Sequence, residues 1–254
     1  MRCWRFAGLD LLVPIAAWAL LGCAPPPLVL PAAPTLNPDL VQRGAFVFAD
    51  PRSSGDGTRA CATCHPGGGS NGASYRDGVE VPPESPGARD VPSLRGAWQT
   101  APYMWDGSVR DLRSAIERML AIEMRGAELA THDLEALLAY VQAFEPFDRG
   151  RLEPDGTPIE PVTLAGRRGA AVFLRAACDE CHPAPIYARP QRNDMGTGTE
   201  IDVPTLRGLS STPPYGHDGR WDSIAEAVQA MLSAGEIVLS AREREQLVEY
   251  LKLF

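Results

Sequence analysis

CATCH at Cys61 to His65 and CDECH at Cys178 to His182 each hold two cysteines three positions apart, with a histidine directly after the second. On one helical turn that spacing brings two thiols to the same side, within reach of the two vinyl groups of a porphyrin. The adjoining histidine is then set to coordinate iron from beneath. Each motif predicts one covalently attached c-type haem, with Cys61, Cys64, Cys178 and Cys181 as attachment points and His65 and His182 as proximal ligands. The same cysteine spacing serves zinc sites and thiol redox centres, but a zinc site would want both pairs together. Here more than a hundred residues separate them. The other two of the six cysteines, Cys3 and Cys23, lie in an apolar N-terminal segment, so none is left for a structural disulfide.

The motifs sit in an internal duplication. VPSLRGAWQTAPYMWDGS, Val91 to Ser108, aligns without a gap to VPTLRGLSSTPPYGHDGR, Val203 to Arg220, 112 positions further on. That offset continues into the next helix, where Ile116 matches Val228 and Met119 matches Met231, whereas the cysteine motifs are 117 apart. A repeat of roughly a hundred residues is long enough to be a domain. Each half reads as helix, haem motif, long Gly/Pro-rich loop, helix, helix. Leu40 to Ala49 and Leu164 to Ala177 run up to the cysteines. Leu112, Ile116, Met119 and Leu120 follow helical spacing, as do Ile224, Val228, Met231 and Leu232. The closing helices carry Leu134, Leu137, Leu138 and Val141, then Leu247, Tyr250, Leu251 and Phe254. Ser240 with Glu243 is a capping-box signature at the start of the last helix. No strand alternation stands out. The expected fold is all-α, as two tandem cytochrome c-like helical domains with one covalent haem each.

Residues 1–23 read as a lipoprotein signal peptide: Arg2 and Arg5 precede an apolar run from Leu11 to Leu21. As a helix that run spans roughly 16 Å, about half a bilayer core and too short to cross one. It ends in LLGC, Leu20 to Cys23, which resembles the lipobox of bacterial lipoproteins; a plain signal peptide cut nearby is the other reading. Residues 24–38 contain six prolines and suit an extended tether. Residues 39–148 make the first domain, 149–162 a linker within a Pro- and charge-rich stretch, and 163–254 the second domain. This organisation places the folded part in the periplasm, held to a bacterial membrane by a lipid anchor at Cys23. With 24 basic against 32 acidic side chains the formal charge is −8, which argues against nucleic acid as a partner and suits a small basic redox protein.

The sixth ligand of each iron decides what such a haem does: a thioether gives an electron-transfer centre, and an open position admits peroxide. Beyond the proximal pair only His132 and His217 remain among the histidines. Met119 and Met231 follow their proximal histidines by 54 and 49 residues at matching positions, and are the candidate ligands; core packing is their other reading. Met104, Met124 and Met195 have no methionine counterpart in the other half.

At these motifs the chain resembles the bacterial dihaem cytochrome c peroxidases and their relative, the methylamine-utilisation dihaem enzyme. The likeness spans most of Arg43 to Phe254 and rests on FADPRSSGDGTRACATCH, on VPTLRGLSSTPPYGHDGR with the EAVQAM that follows, and on WDG at Trp105 to Gly107. It implies that Met231 is the axial ligand of the electron-transferring haem. It implies that Trp105 lies between the haems and assists electron passage, and that Glu123 handles peroxide protons at the first haem. It also implies an interhaem Ca2+ at Asp90, Thr212 and Pro214, although Asp90 replaces an asparagine there. Two departures stand out: Gly67 to Asp90 holds no histidine to serve as a displaceable ligand, and Met119 occupies a position that the family's first domain does not use. The expected function is electron transfer through two c-type haems, with hydrogen peroxide reduced at the first and a small redox protein as donor or acceptor. Its alternatives are a non-catalytic carrier with Met119 and Met231 on the two irons, and a dihaem oxidase acting on a partner protein through Trp105.

Overall fold

The computed structural model describes residues 30–147, 150–195 and 198–254. The expected signal peptide, Cys3, Cys23 and the start of the tether lie outside the described residues. Among those described, no helix is long and apolar enough to cross a membrane.

Among the described residues seven helices dominate the regular structure: α1 (Pro38–Ala49), α2 (Cys61–Cys64), α3 (Leu112–Ile122), α4 (Thr131–Gln142), α5 (Leu164–Arg175), α6 (Ile224–Ala234) and α7 (Ala241–Leu251). Their ends follow from local chemistry. Asn37 and Thr163 cap α1 and α5 by accepting from Asp39 N–H and Gly166 N–H. Asp111 and Ser223, equivalent under the offset of 112, cap α3 and α6. The capping box of Ser240 and Glu243 opens α7 as expected.

In each half the first helix packs on the last, α1 on α4 and α5 on α7, and one device makes both crossings close. Gly44 on α1 faces the Ala136 carbonyl and the Tyr140 β-carbon of α4; a side chain at Gly44 would collide with both. Gly169 on α5 meets the Gln246 carbonyl and Tyr250 of α7 in the same way. One turn beyond each glycine comes a phenylalanine, and one turn beyond each tyrosine comes another. Phe48, Tyr140 and Phe144 form an edge-to-face cluster with centroids 4.9–5.6 Å apart. Phe173, Tyr250 and Phe254 repeat it at 5.4–5.5 Å, and Tyr187 joins them 4.5 Å from Phe254. Each such pair adds roughly 0.5–1.5 kcal/mol beyond its area burial. Phe48 with Leu120, Leu137 and Val141 makes one hydrophobic core. A larger one gathers Val172, Phe173, Val228, Leu232, Leu247, Tyr250 and Phe254.

One expectation needs correction: the chain is mostly helical, as expected, but not all-α, because short strands form within the Gly/Pro-rich loops. β1 (Ser74–Arg76), β2 (Val79–Val81) and β3 (Arg89–Asp90) form an antiparallel sheet in the order β2-β1-β3, and β4 (Arg192–Asp194) pairs antiparallel with β5 (Glu200–Asp202). At two or three residues each, these strands are too short for an alternating pattern to register in the sequence. The stretch before α5 is likewise docked. Leu152 and Val162 pack against the larger core, and the Tyr250 hydroxyl donates to the Gly156 carbonyl at 2.9 Å.

Candidate functional site

α2 is a single turn, which puts Cys61 and Cys64 on one side; the Ala60 N–H bonds the Thr63 hydroxyl at 3.0 Å and holds its start. In the second half the turn over Cys178–Glu180 is tighter, of the 3-10 kind. In both, the histidine N–H closes the turn onto the first cysteine's carbonyl at 2.9 Å, His65 on Cys61 and His182 on Cys178. The rings are fixed alike. His65 Nδ1 lies 3.2 Å from the Gly69 carbonyl and His182 Nδ1 lies 3.0 Å from the Tyr187 carbonyl. A carbonyl can only accept, so Nδ1 carries the proton and the lone pair is left on Nε2, the arrangement that suits iron coordination. Burial holds both imidazoles below their ordinary pKa, partly offset by the carbonyls of Gly69 and Pro92 at His65 and of Tyr187 and Pro204 at His182.

None of the four motif cysteines is in a disulfide. Burial pushes Cys61 and Cys178 up to about 11 and raises Cys64 and Cys181. Among the described residues no group of three or more His, Cys, Asp or Glu side chains could hold a metal ion. Two neutral thiols beside one oriented, neutral imidazole fit a c-type haem in each half.

The side chains on offer as further ligands are not equivalent. Met231 on α6 is partly buried, whereas Met119, its counterpart on α3, is 37% exposed. Met124 packs against the first core and His132 is exposed. Glu123, at the end of α3, accepts from the Gly78 N–H at 2.7 Å, and Arg59 donates to the Gly78 carbonyl, so the β1–β2 hairpin is clasped from two sides. Gly78 has φ +74°, and a β-carbon there would strike the Glu123 carbonyl. The carboxylate is thus positioned through backbone that only glycine permits.

Trp105 lies on the seam between the halves, and the seam has approximate two-fold symmetry. Asp202 N–H donates to the Trp105 carbonyl at 2.9 Å, and Asp90 N–H donates to the His217 carbonyl at 3.0 Å. These four residues are two pairs under the offset of 112. Each half therefore gives one backbone bond and takes one. Arg207 adds a bond to Gln99 Oε1 at 2.8 Å, and the Ser74 hydroxyl donates to the Asp218 carbonyl at 2.8 Å. Asp218, only 3% exposed, accepts three hydrogen bonds from the Arg220 guanidinium. Oδ1 of Asp90 and Oδ1 of Asp202 are both buried without a hydrogen-bond donor. Desolvation pushes these carboxyls up, to about 7 at Asp90 and about 6 at Asp202. The Asp90 oxygen sits by Gly219, which packs against Pro214.

The Arg89 guanidinium stacks on the Trp105 ring with its carbon 3.8 Å from the ring centroid. Arg89 and Asp202 escaped the sequence reading. The offset that pairs Val91 with Val203 already pairs Asp90 with Asp202, whereas nothing in the pattern marks Arg89, whose counterpart is Ile201.

The profile of the di-haem cytochrome c peroxidase family matches residues 38–157. The cytochrome-c peroxidase IdrP2 of Denitromonas iodatirespirans is 33% identical over 309 residues, covering 88% of this chain and 83% of that protein. The methylamine utilization protein MauG of Methylorubrum extorquens is 27% identical over 288 residues, covering 87% of this chain and 80% of that one. In fold, the chain is similar to a solved chain of hydrazine synthase from Kuenenia stuttgartiensis, with a TM-score of 0.70 at 22% identity over 99% of this chain and 100% of that one. The chain belongs to the di-haem cytochrome c peroxidase family, whose cofactors are two c-type haems.

Proposed function

We propose that this chain is an exported, lipid-anchored periplasmic electron-transfer protein that reduces hydrogen peroxide at its first haem, fed by a small redox protein through its second. In this reading residues 39–148 and 163–254 are two cytochrome c-like domains, joined by 149–162, and each holds one covalent haem. Cys61, Cys64 and His65 hold the first; Cys178, Cys181, His182 and, as sixth ligand, Met231 hold the second.

The observation that carries the reading is an asymmetry imposed on a repeat. Both proximal histidines are held through Nδ1 by a backbone carbonyl, yet Met231 is partly buried while Met119 stands 37% exposed on the helix that Glu123 ends. When bound, the haems supply the redox equivalents and the site for peroxide. The chain supplies the rest. Glu123, pinned by the Gly78 N–H, is a proton carrier at the first haem. Trp105 is anchored through its carbonyl to the second half, which supports a role as relay between the two haem-binding halves. An interhaem Ca2+ at Asp90, Thr212 and Pro214 would give the orphaned Asp90 oxygen a partner.

The ferric protein tests this directly. Spectra should show one high-spin and one thioether-ligated low-spin haem, with a rapid reaction on adding peroxide. Two low-spin His/Met haems inert to peroxide would leave the non-catalytic carrier, and Met119→Ala should then open the first iron and create turnover. The third reading, oxidation of a partner protein through Trp105, would need peroxide-driven change in that partner that disappears in Trp105→Phe.

A further inference from the structure

The seam repeats itself at Asp90 and Asp202 and in the backbone bonds they donate, but not in the side chains around those bonds. Arg89 stands where the repeat has Ile201, and Trp105 stands where it has His217. These two departures touch: the guanidinium carbon lies 3.8 Å over the indole centroid. The guanidinium is held by this stacking and by one hydrogen bond. Nη1 donates to the Ala88 carbonyl at 2.5 Å, and Nε is buried with no acceptor. The carboxylates that act on it, Asp218, Asp106 and Glu123, do so through space, and no ion pair of 4 Å or less to Arg89 occurs among the described residues. Asp218 is already committed to Arg220.

A cation on the face of an indole is attracted to the neutral ring and repelled by an oxidised one, and at this separation in a part-buried site the repulsion is substantial. We propose that Arg89 is a positioning residue for the Trp105 relay: its fixed charge keeps positive charge from settling on the indole, so electrons cross the seam without leaving an oxidised tryptophan behind. The inference rests on the reading of Trp105 as the relay. An electron leaving the indole toward the first haem creates a radical cation. One electron from the side of the second haem restores the ring, and the Nε1 proton stays in place. A disfavoured radical cation is refilled before it reacts with water or dioxygen.

The test uses the di-haem protein, a ruthenium tris-bipyridine photo-oxidant and persulfate as terminal electron acceptor, with oxidation of Trp105 read by peptide mass spectrometry. Trp98 and Trp221 are internal controls. Arg89→Leu should raise oxidation at Trp105 by about tenfold and leave the controls unchanged, whereas Arg89→Lys, which keeps the charge, should stay near wild type. Equal oxidation of Trp105 in Arg89→Leu and wild type would overturn the proposal. So would Arg89→Lys behaving like Arg89→Leu, because the arginine would then be a cover and not a charge. Trp105→Phe separates the two ideas. Undiminished electron passage between the haems in that variant refutes the relay itself, while slowed passage together with an unresponsive Arg89→Leu refutes only the role of the charge.

Discussion

Asp202 carries a carboxylate oxygen that the fold buries without a donor, and the consequence is a pH dependence of definite sign. Its pKa rises from 3.8 to about 6 on folding, chiefly by desolvation. Between those values the folded chain binds more protons than the unfolded one, so this group's contribution to stability falls as pH rises from about 3.8 to about 6 and is flat above. Asp202→Asn, which cannot ionise, should therefore be more stable than wild type by about 1 kcal/mol above pH 6, after allowance for partial solvent access, with the advantage vanishing toward pH 4. Denaturant melts across that range, in chelated buffer, would show it; a constant difference would mean that the carboxyl does not titrate there. At the same scale, Met231→Ala should abolish the near-infrared charge-transfer band of thioether-ligated ferric haem and lower the second haem's potential, because a soft sulfur ligand favours the ferrous state. An unchanged band would remove Met231 from the ligand set.

Among the elements, the closest contacts are the two glycine crossings. Gly44→Ala and Gly169→Ala each improve helix propensity on paper by less than about 1 kcal/mol, but push a methyl group into a backbone carbonyl of the facing helix. The collision should dominate, with a net loss of about 1–3 kcal/mol for each variant, read as a lower thermal midpoint. A gain in either would show that the helices can separate at no cost. These crossings also mark what was legible. The helices, their caps and the cysteine turns were readable because they depend on neighbours a few residues away. The Gly-x-x-x-Phe and Tyr-x-x-x-Phe patterns were present in both halves, yet their meaning needed the partner helix. Ungapped comparison also hid the correspondence of α1 with α5: Gly44 and Gly169 are 125 apart while the cysteine motifs are 117 apart, because the segment between helix and motif is eight residues longer in the first half. The β1–β2 hairpin is local and turns at Asp77-Gly78, both at positive φ, a signal that the sequence reading passed over; the clasp of Glu123 on Gly78 spans 45 residues, and no local pattern announces it.

For the whole molecule the first prediction is stoichiometric. Two motifs of identical construction call for two haems bound through thioethers, so acid–acetone should extract no colour and the purified chain should exceed its apo mass by about two haem groups. One haem, or an extractable one, would refute the covalent pair. The second concerns the segment before residue 30. Cys23→Ser should leave both haem spectra intact and move the protein from membranes to the soluble periplasmic fraction, since lipidation is the attachment that the sequence offers. Unchanged fractionation would place the attachment elsewhere.

The exchange of backbone bonds across the seam has one more consequence. A frame in which each half gives and receives the same bond has no built-in front or back, and a conductor mounted on it would pass current equally well either way. Direction comes from the potentials of the two haems; at the junction itself the side chains differ at Arg89 against Ile201 and at Trp105 against His217. The backbone bonds persist whatever those side chains are, so exchanging them should alter how fast current crosses while leaving its direction and the junction's spacing intact. In electrical terms the duplicated scaffold is a symmetric socket, and the conductor is a small, replaceable insert.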